Sequence, residues 1–252
     1  MLKKLAITFK DEPFFLRIRK ILCIFFNLKF FIIFFRFGVA PSLEHKRLLK
    51  KLNIDFIADV GSNKGQFSLL SSYLYPNIKI HSFEPIKKNL DIQKKIFKNN
   101  KNIFFYNYAL GNISNKSSEL NVSIDDDSSS ILSSSLNLNK IFPGTKIVNK
   151  IPIIITKLDN FFKSLSNSNG LLKIDVQGYE LNVLLGSSCS LEKFNWMLIE
   201  CSFVQLYSNQ PLFDEIFKFC SKHNFILKDI TNIYYHDGFP IQADFLFNRL
   251  EK

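Results

Sequence analysis

What most constrains the fold of this 252-residue chain is the order in which apolar runs alternate with amphipathic stretches after Pro41. Residues 55–60 read as a strand, followed by a glycine-bounded turn and a helix over 66–74. A second strand over 79–84 is stopped by Pro85, residues 87–99 have helical spacing with a basic outer face, and 103–108 form a third strand. This β-α-β-α-β order predicts a parallel sheet joined by right-handed crossovers, since parallel neighbours cannot be linked by a tight turn.

The middle breaks the rhythm. Strands over 119–124 and 147–156 flank Asp125-Asp126-Asp127-Ser128-Ser129-Ser130 and a second serine triplet at 133–135, with no useful helix signal between them. A polar connecting loop and a lid or binding element are both open readings of such a stretch. Regularity then resumes with a short helix over 158–165, a strand over 171–175, a helix over 178–185, a strand over 196–201 and a Pro-opened helix over 211–223. The last two strands, 225–233 and 243–248, are joined without a helix and predict an antiparallel hairpin.

Charge sets the N-terminus apart. The formal total is +11, which implies an anionic partner such as nucleic acid, a membrane surface or a phosphorylated substrate. Residues 1–50 hold eleven Lys and Arg against three acids, a net +8, leaving +3 for the other 202 residues. Ten of the 28 Phe also lie between Phe9 and Phe37. The apolar runs 21–28 and 30–35 are too short for a membrane span, and interspersed charges argue against a secretory signal. Asp11-Glu12-Pro13 reads as a helix start. Residues 1–45 are therefore expected to be a basic helical segment and 46–252 the main domain. The segment either packs on that domain with its basic ends in solvent or lies on an anionic membrane. Cys23, Cys189, Cys201 and Cys220 show no paired spacing and read as reduced thiols of a cytoplasmic protein.

Three stretches carry chemistry. Asp59-Val60-Gly61-Ser62-Asn63-Lys64-Gly65 is a strand-to-helix turn whose glycines let backbone approach a ligand. Its spacing differs from the pyrophosphate-binding G-x-G-x-x-G, and an acid at the strand end suits the cationic methionine part of a sulfonium cofactor. Glu84 follows 25 residues later, where doubly wound folds place a carboxylate on the ribose hydroxyls. In Leu171-Leu172-Lys173-Ile174-Asp175, strand alternation puts Lys173 and Asp175 on one face of an otherwise apolar strand. That is either a structural ion pair or part of a site at the carboxyl end of the sheet.

Together these stretches resemble the FkbM family of S-adenosylmethionine-dependent methyltransferases. The family pattern D-x-G-A-N-x-G is met at Asp59–Gly65, F-E-P at Phe83-Glu84-Pro85, and K-x-D-V-E-G-x-E at Lys173–Glu180. Ala109-Leu110-Gly111, Ser128–Ile131, Leu158-Asp159 and Ile199-Glu200 are also family-like, so the resemblance covers about residues 50–248. Ser62 stands for the usual Ala and Gln177 for the usual Glu. The resemblance implies a class I methyltransferase, a Rossmann-like three-layer α/β sandwich whose mostly parallel seven-stranded sheet ends in the antiparallel hairpin. It implies methyl transfer to a hydroxyl of a sugar, nucleotide sugar or related metabolite, as in polysaccharide biosynthesis. By analogy Gly61, Ser62, Asn63 and Gly65, with Asp59, Gln66 and Phe67, hold the methionine end of the cofactor. Glu84 and Pro85 take the ribose, Asn107, Ala109 and Leu110 flank the adenine, and Asp175 borders both cofactor and acceptor. Ser129, Ser130 and Glu180 are expected to meet the acceptor.

Such a transfer needs a base for the hydroxyl proton or a cation that acidifies it. Asp175 is the first candidate, with Lys173 as its electrostatic partner; Glu200 is second, and His236 with Asp237 could reach the same mouth. Asp175, Glu200 and His236 are the alternative set for a hard divalent cation, but no local ligand spacing supports one. His45 and His223 read as surface or satisfied helix positions, and His81 as packing. Two rivals stay open: a nucleic-acid methyltransferase, disfavoured by the mildly basic main domain, and a membrane-associated binding protein that keeps the fold without turnover.

Overall fold

The computed structural model describes residues 14–142, 145–162 and 169–250. The expected helix start at 11–13 lies outside them. Helix α1 spans Phe14–Phe26 and α2 spans Leu28–Phe37. The break between them is set by Asn27, whose side-chain oxygen accepts the Phe30 amide at 3.2 Å, the usual way to satisfy a helix N-terminus. Gly38, in the left-handed conformation, ends α2.

A short α3 (Lys46–Leu49) leads to β1 (Phe56–Val60), α4 (Gln66–Leu74), β2 (Lys79–Phe83), α5 (Lys87–Ile96) and β3 (Ile103–Tyr106). Then come β4 (Ala109–Leu110), β5 (Lys116–Ser123), α6 (Leu136–Ile141), β6 (Ile147–Thr156) and α7 (Asp159–Phe162). The chain finishes with β7 (Gly170–Ile174), α8 (Glu180–Leu185), β8 (Phe194–Ser202), α9 (Phe213–Lys222), β9 (Phe225–His236) and β10 (Phe239–Arg249).

Seven strands form one sheet in the order β3-β2-β1-β7-β8-β10-β9, parallel except for the antiparallel hairpin, as the resemblance implied. Every residue of β1 and β7 is buried, because helices cover both faces of these central strands. Alternation along β1 sends Ile57 into one apolar cluster and Phe56, Ala58 and Val60 into the other. The first cluster also takes Ile24 of α1 and Phe30, Ile33 and Phe34 of α2. Phe30 and Phe34 are completely buried, each contributing roughly 2–3 kcal/mol. The N-terminal helices thus pack against the same sheet face as α4 and α5.

Residues 109–156 depart from expectation. Strands β4, β6 and β5 form a separate three-stranded sheet, and α6 interrupts the polar stretch that showed no helix signal. Strand order reverses between β1 and β7, opening the crevice at their carboxyl ends where α/β sheets bind ligands.

Candidate active site

A cavity of about 330 Å³ lies over that crevice. Its floor is the turn after β1. Gly61 has φ +74°, and a Cβ there would sit 1.8 Å from the Asp175 carbonyl oxygen, so close approach of the β1 and β7 ends requires glycine. Ser62, the departure from the family pattern, is built into a buried polar knot. Ser82 Oγ lies 2.7 Å from both Ser62 Oγ and Gln93 Oε1, and the Gln93 amide donates to Ser62 Oγ and to the Asn63 carbonyl. The extra hydroxyl ties the turn to β2 and α5.

Glu84 forms the next wall. Its Oε2 accepts the Asn63 amide and its Oε1 the Ile86 amide, each at 2.8 Å. Burial pushes its carboxyl up to about 7 despite those amides. Each oxygen keeps a further lone pair, which suits a pair of ribose hydroxyls. The side-chain oxygen of Asn63 is buried in the same wall and takes no hydrogen bond from the described residues. Together these features fit an adenosine cofactor carrying hydroxyl and ammonium donors.

Lys173 organises the opposite wall. Its Nζ lies 3.2 Å from Asp175 Oδ2, 3.7 Å from Asp59 Oδ1 and 3.3 Å from the Gly61 carbonyl. Burial alone would lower its pKa, but Asp175 and Asp59 outweigh burial and hold the ammonium above its ordinary range. Asp59 is completely buried behind the cavity, bonded to Ser68 Oγ at 2.7 Å, and burial raises its pKa. Asp175 keeps a third of its side chain accessible and faces the cavity. Its Oδ1 accepts from the Gln177 amide at 2.9 Å, and that amide also reaches Glu200 Oε2 at 3.1 Å.

Most of the expected site residues meet here. Gly61, Ser62, Asn63, Gln66 and Phe67 line the cavity, as do Glu84, Pro85, Ala109 and Leu110. Lys173, Asp175 and Ser129 border it too. Others serve it from behind. Gly65 is packed against Gln93 and Phe97, and Asn107 braces the backbone of Glu84 and Pro85. Glu200 is held by Gln177 and Gln242 outside the lining. Three expectations are corrected. Glu180 is buried and accepts the Val176 and Gly178 amides, so its carboxylate shapes the turn after β7 instead of facing an acceptor. Ser130 is buried and donates to the Gln177 carbonyl at 2.6 Å. His236 pairs with Asp237 at 3.6 Å and is not among the cavity-lining residues, because β9 is the outermost strand of its sheet.

His236 stands apart from Asp175 and Glu200, and among the described residues no group of three or more His, Cys, Asp and Glu could hold a metal ion. His223 bonds its own helix at the Phe219 carbonyl, and His81 stacks against Tyr106 and Phe104, where burial lowers its pKa to about 4.

His45 corrects the sequence reading in the other direction. It is buried and lines the cavity, with Nε2 3.0 Å from Asp244 Oδ2. Asn232 also donates to Asp244, at 2.6 Å. Burial works against its charge, yet Asp244 outweighs burial and raises the His45 pKa, while that of Asp244 is lowered. Beside it Glu44 pairs with the buried Lys20 of α1 at 2.9 Å, and both line the cavity. The N-terminal segment therefore supplies part of the site wall. The only sequence signals were a lone histidine, a lone glutamate and one lysine of a basic run.

Comparison with known proteins bears on the family and the fold. The model of the methyltransferase FkbM domain matches residues 59–227, more than half of the chain. No curated protein matches it in sequence. Among solved structures, TehB from Haemophilus influenzae has a TM-score of 0.50 at 12% identity, covering 86% of this chain and 66% of the TehB chain. Magnesium protoporphyrin IX methyltransferase from Synechocystis PCC 6803, with bound SAM, gives 0.46 at 8% identity over 99% of this chain and 91% of its own. TrmK from M. capricolum, in complex with S-adenosylhomocysteine, gives 0.43 at 18% over 82% and 68%. A glycine turn closed on Asp175, a buried glutamate beside it and the matching domain model converge, and the chain belongs to the FkbM family of S-adenosylmethionine-dependent methyltransferases.

Proposed function

We propose that the chain methylates a hydroxyl oxygen of a sugar, nucleotide sugar or related small metabolite, with Asp175 as the base. The observation that carries this reading is the Asp175 carboxylate, fixed by Lys173 and Gln177 yet open to the cavity. When bound, S-adenosylmethionine supplies a sulfonium methyl group that takes the oxygen's electron pair as its carbon–sulfur bond breaks. Gly61, Ser62 and Asn63 hold the methionine end and Glu84 the ribose. Asp175 accepts the hydroxyl proton as the oxygen attacks, and Lys173 keeps that carboxylate oriented. Ser129 contacts the acceptor in this reading, which its position in the cavity lining supports. The test is release of S-adenosylhomocysteine from a panel of nucleotide-activated sugars and lipid-linked glycans, with Mg²⁺ or EDTA, and with RNA as a control. Wild-type turnover on a hydroxyl acceptor, lost in Asp175→Asn with cofactor binding intact, supports the reading. Turnover on RNA alone, or unchanged turnover in Asp175→Asn, overturns it.

The outer face of the N-terminal helices supports a location at the inner, anionic face of a membrane. Ile18, Leu22 and Phe25 recur at helical spacing along α1 and are exposed; Phe26 is 86% and Leu28 73% exposed, and Ile32 follows on α2. Exposed Lys29 and Arg36 flank them. Among the described residues no helix is long and apolar enough to cross a membrane, so contact would be interfacial. Co-sedimentation with phosphatidylglycerol vesicles, weakened by salt and by Phe26→Asp with Leu28→Asp, supports docking. Equal retention on neutral vesicles, no retention, or a concentration-dependent dimer that covers this face counts against it.

A further inference from the structure

We propose that Gln177 is a positioning residue that gives the two carboxylates of this site unequal work, holding Asp175 as the base and Glu200 as its support. This rests on the reading of Asp175 as base. One amide nitrogen of Gln177 reaches both acids, Asp175 Oδ1 at 2.9 Å and Glu200 Oε2 at 3.1 Å. The amide orientation follows from chemistry: Gln177 Oε1 faces the hydroxyl of Tyr207 at 3.0 Å, and a carboxylate can accept only from the NH₂ end. Tyr207 is 2% exposed, so this anchor does not swing away. The backbone is fixed as well. Gln177 has φ +56°, a left-handed conformation that a side-chain-bearing residue holds only where its surroundings fix it. Gly178 follows at φ +97°, and the Ser130 hydroxyl holds the Gln177 carbonyl at 2.6 Å.

The two acids differ in everything except this shared donor. Asp175 has the Lys173 ammonium at 3.2 Å and opens to the cavity. Glu200 lies outside the cavity lining, has the neutral Gln242 amide at 2.9 Å, and its pKa is raised first by burial and then by Asp175. The neighbouring charges are Lys173 and Asp59 beside Asp175, Glu180 on α8, Asp127 in the loop, and Asp244 on β10 facing Glu200. Acids outnumber Lys173 in this group. A third carboxylate at 177, the usual family residue, would share the proton across three acids, whereas the amide adds two donor contacts and no charge. Gln177 thereby holds both carboxylates through one neutral donor without adding a charge between them.

The experiment follows the carboxyl carbons of Asp and Glu by ¹³C NMR titration of the full chain, for wild type, Gln177→Glu, Gln177→Leu and Tyr207→Phe. The acids of a coupled pair titrate in two macroscopic steps. Wild type is expected to show those steps widely separated. Gln177→Glu should add a third step and move the lower one up by about one unit, from like-charge coupling. Gln177→Leu should narrow the separation, and Tyr207→Phe should do so by less. Circular dichroism identifies any variant that has not folded, and Tyr207→Phe retains the amide as a milder probe. Unchanged steps in both folded Gln177 variants would overturn the proposal. That result leaves the base reading standing, which falls separately if Asp175→Asn keeps its methylation.

Discussion

Replacing Lys173 by Met keeps the length and apolar stem of the side chain but removes the cation between Asp59 and Asp175. At an effective dielectric of 20, the Coulomb terms are about 5 kcal/mol to Asp175 at 3.2 Å and about 4 kcal/mol to Asp59 at 3.7 Å. Solvent at the partly open Asp175 reduces the first, and desolvation of the lysine offsets part of both. The net expectation is therefore the loss found when one member of a buried pair is removed, about 3–5 kcal/mol. The sign with pH follows from Asp59. Its folded pKa is already raised above the unfolded value by burial, and without Lys173 it rises further. The folded state then binds more protons than the unfolded one, so stability falls as pH increases through that window. Urea unfolding at pH 5 and pH 8 should show the Lys173→Met deficit larger at pH 8, with Asp59→Asn in the same chain restoring part of it. A deficit that is independent of pH, or below about 1 kcal/mol at pH 8, would refute the reasoning.

Three further outcomes are expected. Because the Glu84 carboxyl lies near 7, wild-type affinity for S-adenosylhomocysteine should rise as pH increases through that value. Glu84→Gln should bind it about 10–100-fold more weakly with little pH dependence, as calorimetric titration at pH 6 and 8 would show. Gly61→Ala places a methyl group 1.8 Å from a backbone oxygen at a left-handed position, and should lose more than about 3 kcal/mol or fail to fold, read by thermal unfolding. Deleting residues 1–40 removes part of the core and of the site wall together. It takes Ile24, Phe30 and Phe34 out of the core and Lys20, Gly38 and Ala40 out of the cavity wall, so both the thermal transition and cofactor binding should be lost.

What was legible in the sequence is what local spacing encodes. The alternation of strands and helices fixed the sheet because fully buried strands such as FIADV and LLKI sit between stretches of helical period. The Asp59 turn, Glu84 and the Lys173–Asp175 pair were legible because strand ends put them at one edge of that sheet. Contacts between distant segments were not. His45 and Asp244 are 199 residues apart, and neither neighbourhood contains a motif. Glu180 carried the composition of a site acid but serves two loop amides, a distinction that depends on which way one carboxylate turns. The small β4-β6-β5 sheet was not legible because its strands alternate like any others, and pairing partners are not written in alternation.

The pair formed by His45 and Asp244 also has a consequence for the order in which the molecule is made. One wall of the cavity comes from residues 20–45 and is fastened to β10, which is synthesised after every other strand of its sheet. The glycine turn, Glu84 and Lys173 are all synthesised before Asp244 exists. Until then the N-terminal wall has its Lys20–Glu44 pair and its apolar packing but not the His45–Asp244 bond. Closing so long a loop is slow compared with forming local βα units. The site should thus be finished late, and a chain stopped short of β10 should hold most of a methyltransferase sheet yet bind its cofactor poorly.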